Sequence, residues 1–225
     1  MPKTGIGLLE ILSLVAILLP LIPVFIIFIS KTYKEDILAL LMGFCLVSFI
    51  QNLILNVLQF VPLDILFIKA SFHLITYIIL LLLLQLVIEG KWIREGIKIL
   101  LVSFVSVVIT IYITRGISVY LRNIEIAQAL LMIVLNFIVL LQLIRKHDIF
   151  IFLSPMFWIA GGTFFYYCMF LLTQSLPEYK AVLQGESQQQ KRALLLVIIL
   201  IQFVFYIIAA TVAANKNKDD RMITY

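Results

Sequence analysis

The chain has 225 residues, 64% of them hydrophobic and only 13% charged, with a mean hydropathy of +1.16. This composition excludes a water-soluble protein, because no core surrounded by water could bury so much apolar surface. The net charge of +5 lies in short loops and at segment ends, which indicates contact with the lipid bilayer and excludes nucleic acid as a partner.

Seven apolar segments follow one another along the chain, and each is long enough to cross the bilayer, which takes about 20 residues. Their predicted bounds are 6–30, 37–60, 64–89, 94–114, 119–144, 149–174 and 192–214. Lipid admits only helices and closed barrels, and apolarity without alternation excludes a barrel. The sequence therefore predicts an all-α, seven-transmembrane-helix bundle, a single transmembrane domain over 1–225 in the inner membrane of a cell.

The first segment is interpreted as a membrane span and not as a cleaved signal peptide. It is longer than the apolar part of a signal peptide, contains Glu10 and lacks a small-residue cleavage site. Pro20 and Pro23 are candidate positions for a kink within it, because proline removes a helical hydrogen bond.

The lysine and arginine distribution predicts an outer N-terminus and a cytoplasmic C-terminus. The connections and tail assigned to the cytoplasm carry ten: Lys31, Lys34, Lys91, Arg94, Lys98, Arg145, Lys146, Lys216, Lys218 and Arg221. The outer side carries six: Lys3, Arg115, Arg122, Lys180, Lys191 and Arg192.

Polar and ionisable groups at membrane depth are costly, so they are the candidate functional residues. Lys69, His73 and Tyr77 follow one another at four-residue spacing in the third segment and thus share a helix face. The second segment carries a comparable polar stripe of Ser48, Asn52, Asn56 and Gln59, with Gln51 beside it. These two seams would face each other if the two helices pack together.

One hypothesis is a polar cavity that opens toward the outer side of the membrane. Its candidate residues are Glu10, Asn52, Asn56, Gln59, Asp64, Lys69, His73, Tyr77, Tyr166 and Tyr167. Lys69 would pair with Glu10 or Asp64, and a small ligand or a local signal would perturb that pair. The alternative is that the long side chain of Lys69 extends to the membrane surface and places its ammonium group in water, while the Asn and Gln side chains only form hydrogen bonds between helices.

The sequence predicts no catalytic, cofactor or metal site. It contains no H-E-x-x-H, no G-x-S-x-G and no pair of membrane aspartates. Cys45 and Cys168 lack metal-ligand spacing, and His73 and His147 lie in different settings, which makes them a poor basis for haem ligation. The last segment has no lysine for a retinal Schiff base. We therefore expect a protein that is not an enzyme.

The sixth segment is the most distinctive, with the run Ser-Pro-Met-Phe-Trp-Ile at 154–159, then Gly161 or Gly162, and Tyr166 and Tyr167. With the last span and basic tail that follow, it resembles the small seven-helix membrane modules fused to, or encoded beside, sensor histidine kinases of Bacteroidetes-type bacteria. The resemblance implies a sensor that passes a signal from the outer face to the cytoplasm. Because the chain ends soon after its last span, the implied kinase would be a separate chain.

These observations predict a membrane sensory or accessory protein whose partner is a separate histidine kinase or another membrane subunit. A small-solute transporter or a pore subunit is the alternative. The repeats and midplane charges expected of a transporter are scarce in the sequence, so the sensory interpretation is preferred.

Overall fold

The computed structural model describes residues 7–58, 65–115, 117–146, 150–175 and 186–222, and the regular elements among them are all helical. The α-helices are α1 Leu8–Leu18, α2 Leu21–Ser30, α3 Asp36–Leu58, α4 Ile65–Val87, α5 Lys91–Arg115, α6 Ile117–Arg145, α7 Pro155–Ser175 and α8 Glu186–Met222. Two 3-10 turns, Thr32–Lys34 and Ile151–Leu153, join some of them. The all-α prediction is confirmed for the described residues.

Six helical stretches in the described residues are long and apolar enough to cross a membrane, which supports a multi-pass membrane protein. They are Leu9–Ser30, Asp36–Leu55, Ile68–Val87, Ile124–Arg145, Pro155–Thr173 and Arg192–Asn217. The segment predicted at 94–114 is the helix α5, but it is not among the six. Its first turns carry Lys91, Arg94, Glu95 and Lys98, so seven spans remain a prediction.

The first predicted span is not one continuous helix, since it breaks between α1 and α2 at Leu19 and Pro20. Pro20 has no N–H, so it leaves the carbonyl of Ala16 without its helical partner. The amide Nδ2 of Asn52 on α3 donates to that carbonyl at 3.4 Å. Of the two prolines predicted as kink positions, Pro20 lies at a break between helices and Pro23 lies inside α2, and a polar side chain from a neighbouring helix compensates the bond lost at Pro20.

Proline also decides where α7 begins. The apolar segment predicted from residue 149 becomes helical only at Pro155, after the 3-10 turn Ile151–Leu153. Ser154 is extended, with φ −86° and ψ 118°, because the residue before a proline is pushed away from helical geometry. A proline at the first helical position is itself favourable, so the span is shorter than hydropathy alone indicates.

The helices form a bundle in which α7 packs between α6 and α8, and α3 packs against α4. The broken pair α1 and α2 contacts both α3 and α8, whereas α5 lies at the periphery against α4 and α6. One buried apolar cluster contains residues of every helix from α2 to α8, with Ile97 as the buried member from α5. The lipid-facing side of α5 exposes apolar side chains such as Ile99 and Val102.

The end of the bundle at which the turn Thr32–Lys34 joins α2 to α3, here the α2–α3 end, is fixed by side-chain bonds to backbone. Asn217 of α8 donates through Nδ2 to the carbonyl of Ser30 at 3.0 Å, which caps the last turn of α2. At the same end, Gln142 of α6 exchanges two hydrogen bonds with the backbone of Glu89, and Lys146 forms an ion pair with the Glu89 carboxylate.

Candidate ligand cavity

A cavity of about 110 Å³ lies between α3, α4, α7 and α8, near the middle of their spans and displaced toward the end opposite the α2–α3 end. Its walls are Phe44, Ser48, Gln51, Asn52, His73, Thr76, Leu80, Tyr166, Tyr167, Ile199, Gln202 and Phe203. At about 10–15 Å³ for each water-sized group, the cavity accommodates several such groups. It is large enough for a small polar molecule.

The described residues of the cavity wall are polar but uncharged. Three side-chain amides, four hydroxyls and one imidazole line it, and none of these wall residues is an Asp, Glu, Lys or Arg. The rings of Phe44 and Phe203 supply apolar surface between the polar groups. Such a mixture suits an uncharged molecule that forms several hydrogen bonds.

Gln202 of α8 is held in one orientation by a chain of hydrogen bonds. Thr163 Oγ1 donates to the carbonyl of Ile159 at 2.8 Å, so its only hydrogen is used there. The Tyr206 hydroxyl, 2.8 Å from the same Oγ1, must therefore donate to Thr163. Its oxygen then accepts from Gln202 Nε2 at 2.7 Å, which leaves Gln202 Oε1 as the acceptor for the cavity.

A glycine permits the close helix contact that brings this chain of hydrogen bonds together. A Cβ at Gly162 of α7 would stand 2.7 Å from the Cβ of Phe205 and 3.4 Å from the carbonyl oxygen of Gln202. At Gly161 the nearest atom, in the Phe205 ring, would be 3.6 Å away, an ordinary contact. The close contact therefore requires glycine at Gly162, whereas Gly161 has room for a Cβ.

His73 of α4 connects the cavity to α6. Its Nε2 lies 2.7 Å from Oε1 of Gln128, a residue that is only 1% exposed. Because an amide oxygen only accepts, His73 Nε2 carries the hydrogen and Nδ1 is left as an acceptor. Glu125 and Lys69, of opposite charge, are close enough to act electrostatically on this ring.

Three buried side-chain atoms have no hydrogen-bond partner among the described residues: Thr76 Oγ1, Tyr77 Oη and Gln128 Nε2. All three belong to α4 and α6 around His73. A buried polar atom without a partner is unusual and needs an explanation, such as an ordered water or a bound molecule. Thr76 belongs to the cavity wall, but its Oγ1 is itself inaccessible to a water-sized group, so the cavity does not supply the missing partner.

The structure brings four of the predicted site residues, Asn52, His73, Tyr166 and Tyr167, to the cavity wall. Tyr77 is 1% exposed and packs on Phe104 of α5 with ring centroids 4.5 Å apart, outside the wall.

The charged candidates lie elsewhere. Lys69 is exposed on the surface of the bundle. Glu10 accepts a hydrogen bond from the backbone N–H of Gly7 at 3.2 Å and caps α1. No ion pair joins Lys69 to Glu10 among the described side chains. Asp64 and Gln59 fall outside the described residues, as does the side chain of Asn56, so a Lys69–Asp64 pair remains a prediction.

Sequence reasoning missed Thr76 and Gln202, which line the cavity, and Glu125 beside it. Glu125 had a usable signal, since it is a carboxylate inside the apolar segment 119–144 and precedes Gln128 by one helical turn. Gln202 is the one strongly polar residue in the long apolar run 193–214, which is also a signal. Thr76 had none, because threonine is common in membrane helices and often bonds to its own backbone.

One or two turns beyond the cavity, toward the α2–α3 end, the same four helices are filled by buried apolar side chains. Leu41 of α3, Leu84 of α4, Ile159 of α7 and Ala210 of α8 are each at most 1% exposed and belong to one cluster. We call this set the apolar floor. It separates the polar cavity from the α2–α3 end.

The described residues contain no group of three or more His, Cys, Asp or Glu side chains that could hold a metal ion. No protein-family model matches the chain. No curated protein and no solved structure shows significant similarity to it.

Proposed function

We propose that this chain is an inner-membrane sensory protein that binds a small molecule in the cavity and passes the signal to a separate cytoplasmic partner. It acts without catalysis. The observation that supports this most is a polar cavity at membrane depth that is closed on one side by the apolar floor. In the orientation predicted from lysine and arginine, the cavity lies in the outer half of the membrane and the floor in the inner half.

The cost of polar groups in a membrane supports a binding role. Interhelical polar contacts stabilise a membrane protein only slightly, at about 0.6 kcal/mol each, whereas a polar atom left without a partner in hydrocarbon costs several kcal/mol. Eight polar side chains around one cavity are therefore a poor solution for packing alone. They are favourable when water or a ligand occupies the cavity.

α8 provides the route for the signal. It lines the cavity through Gln202 and continues to Asn217, a distance of roughly 22 Å at about 1.5 Å per residue. Asn217 bonds to the last turn of α2 at the α2–α3 end. A ligand that donates a hydrogen bond to Gln202 Oε1 would shift the Gln202 side chain. Because Gln202 is bonded to Tyr206, and Tyr206 to Thr163, this shift would alter the packing of α7 against α8. The proposed partner, a histidine kinase or another subunit, would contact α8 beyond Asn217.

A small-solute transporter is the second candidate. The break between α1 and α2 supports it, because discontinuous helices are common in transporters and line their substrate sites. Asn52, which bonds to the carbonyl freed at this break, also lies in the cavity wall. A transporter, however, needs a second state in which the apolar floor opens.

Cysteine accessibility distinguishes the two candidates. In a background with Cys45→Ala and Cys168→Ala, single cysteines are introduced as Ser48→Cys in the cavity and Ala210→Cys in the floor. Each variant is exposed to a membrane-impermeant maleimide in right-side-out and in inside-out vesicles. A sensor is expected to label at position 48 from the outer side only and at position 210 from neither side.

Labelling of either position from the inner side would contradict the sensory proposal and favour transport. Thr211→Cys on the lipid-facing side of the same helix is the matched control, because it lies beside the floor but has no access to the cavity. The partner is tested separately, by crosslinking at Lys216 in native membranes and identification of the joined protein. Recovery of the chain without a signalling protein would contradict the proposed relay.

A further inference from the structure

We propose that the ligand of the cavity is a small uncharged molecule with several hydrogen-bond donors, of which a short polyol is the simplest form. This inference deepens the proposed function and rests on its ligand-binding step. It follows from the absence of charge in the wall, the direction of two hydrogen-bond chains and the size of the cavity.

The first argument concerns charge. The cavity wall in the described structure has neither an acidic nor a basic side chain, so a charged ligand would lose its hydration without gaining a counter-ion. Transfer of an unpaired charge to such a site is very costly. The nearby charges, Glu125 and Lys69, have opposite signs and act on His73 from beside the cavity. An uncharged ligand avoids this cost.

The second argument concerns the acceptors. Thr163 and Tyr206 fix the amide of Gln202 so that Nε2 points to the tyrosine and Oε1 remains for the cavity. Gln128 likewise uses the N–H of His73 and leaves the ring's Nδ1 as an acceptor. Two side chains of the cavity wall, Gln202 on α8 and His73 on α4, thus each keep one acceptor atom. A matching ligand must carry at least two donors.

The third argument concerns the hydroxyls and the size. Ser48, Thr76, Tyr166 and Tyr167 line the wall, and hydroxyls donate and accept equally well. A ligand whose own groups both donate and accept would complement such a wall. A cavity of about 110 Å³ far exceeds the roughly 10–15 Å³ that a single water requires, so it has room for a molecule of several heavy atoms such as a three- or four-carbon polyol.

The test uses the full chain, purified in detergent without glycerol and mixed with millimolar glycerol, erythritol or glycerate. The midpoint of thermal unfolding, Tm, should rise with erythritol or glycerol concentration, by on the order of 5 °C at a hundredfold excess over Kd. Glycerate, in which a carboxylate replaces one terminal CH2OH group of glycerol, should leave Tm unchanged. Millimolar concentrations avoid the general stabilisation that polyols cause at molar concentrations.

Variants assign the effect to the cavity. Gln202→Leu removes one acceptor and should raise the apparent Kd at least about fivefold. His73→Leu removes the other acceptor and leaves the hydrogen bonds among Thr163, Tyr206 and Gln202 intact. It replaces Gln202→Leu in the assay if that variant does not fold. Thr211→Val is the matched control, since this hydroxyl on α8 is exposed and bonds only to its own helix in the described structure. It should bind like the wild type.

Three results would overturn the proposal: no rise in Tm of the wild type with either polyol, an equal rise with glycerate, or an unchanged Kd in both acceptor variants. The polyol-binding assay tests the proposed ligand class, and the crosslinking assay tests the proposed sensory function, so the two proposals can fail independently. Polyol binding without a crosslinked signalling partner would overturn only the relay. A partner found without polyol binding would overturn only the ligand class.

Discussion

The two halves of the helix bundle use the same four helices for opposite purposes. On the side away from the α2–α3 end, α3, α4, α7 and α8 turn polar side chains toward one another and leave a cavity. Toward the α2–α3 end, the same helices carry buried leucine, isoleucine and alanine side chains that belong to one apolar cluster. Both halves have high hydropathy, so they differ only in a few polar residues. In the described structure, these polar residues lie together around the cavity.

The sharpest comparison uses two neighbouring residues of α4, Leu80 in the cavity wall and Leu81 outside it in the buried core. Leu81→Gln places an amide among apolar side chains and should lower the free energy of unfolding by about 3 kcal/mol. Leu80→Gln should cost roughly 1 kcal/mol or less, because cavity groups or water can bond to the amide. Unfolding in mixed micelles measures both, and equal costs would contradict a polar cavity.

Glycine placement at the α7–α8 contact gives the next largest effect. Gly162→Ala brings a Cβ against the Cβ of Phe205, which cannot move without its helix, so the free energy of unfolding should fall by about 1–3 kcal/mol. Gly161→Ala meets only ordinary contact distances and gains helix propensity, so its cost should be near zero. The two variants are compared by their Tm in the same detergent. Equal losses would show that the close contact does not depend on Gly162.

Loss of the Tyr206 hydroxyl should have a smaller effect. Tyr206→Phe leaves Gln202 Nε2 and Thr163 Oγ1 without their shared partner, which should lower the free energy of unfolding by about 1–2 kcal/mol. Thr211→Val, which removes a hydroxyl from the same helix at an exposed position, should change stability by no more than about 0.5 kcal/mol. A Tyr206→Phe protein as stable as this control would remove the argument for an oriented Gln202.

The smallest effect is expected at Lys69. Its side chain is exposed, so Lys69→Met should change the free energy of unfolding by no more than about 0.5 kcal/mol and leave polyol binding intact. Expression, Tm and signalling output are measured on the same variant. A changed output with normal folding would favour the sequence-based hypothesis, in which a pair between Lys69 and a carboxylate carries the signal, over an uncharged cavity.

The helical class and the membrane setting could be predicted because they depend on local properties of the chain. Long apolar runs can satisfy their backbone in lipid only as helices, so α3, α4, α6 and α7 begin or end close to the predicted bounds, apart from the start of α7. α7 begins at Pro155 itself, because proline favours the first helical position and keeps the residue before it out of helical geometry. The seventh span remains undecided because α5 is apolar along only part of its length.

The candidate site was predicted in part. The stripes on the second and third segments did identify Asn52 and His73, because helical spacing fixes which residues share a face. Helical spacing does not specify which end of a polar stripe packs against another helix. Tyr77 continues the His73 face but packs on Phe104 of the peripheral α5, whereas Gln202, distant in sequence, completes the cavity wall.

The sequence by itself determined that this protein is helical and belongs in a membrane, since hydropathy and backbone satisfaction are properties of single segments. Only the tertiary structure decided which polar groups meet. The uncharged wall, the fixed acceptor of Gln202 and the apolar floor each depend on contacts between residues on different helices. Such contacts are set by the way helices pack, and no periodicity within one segment specifies them.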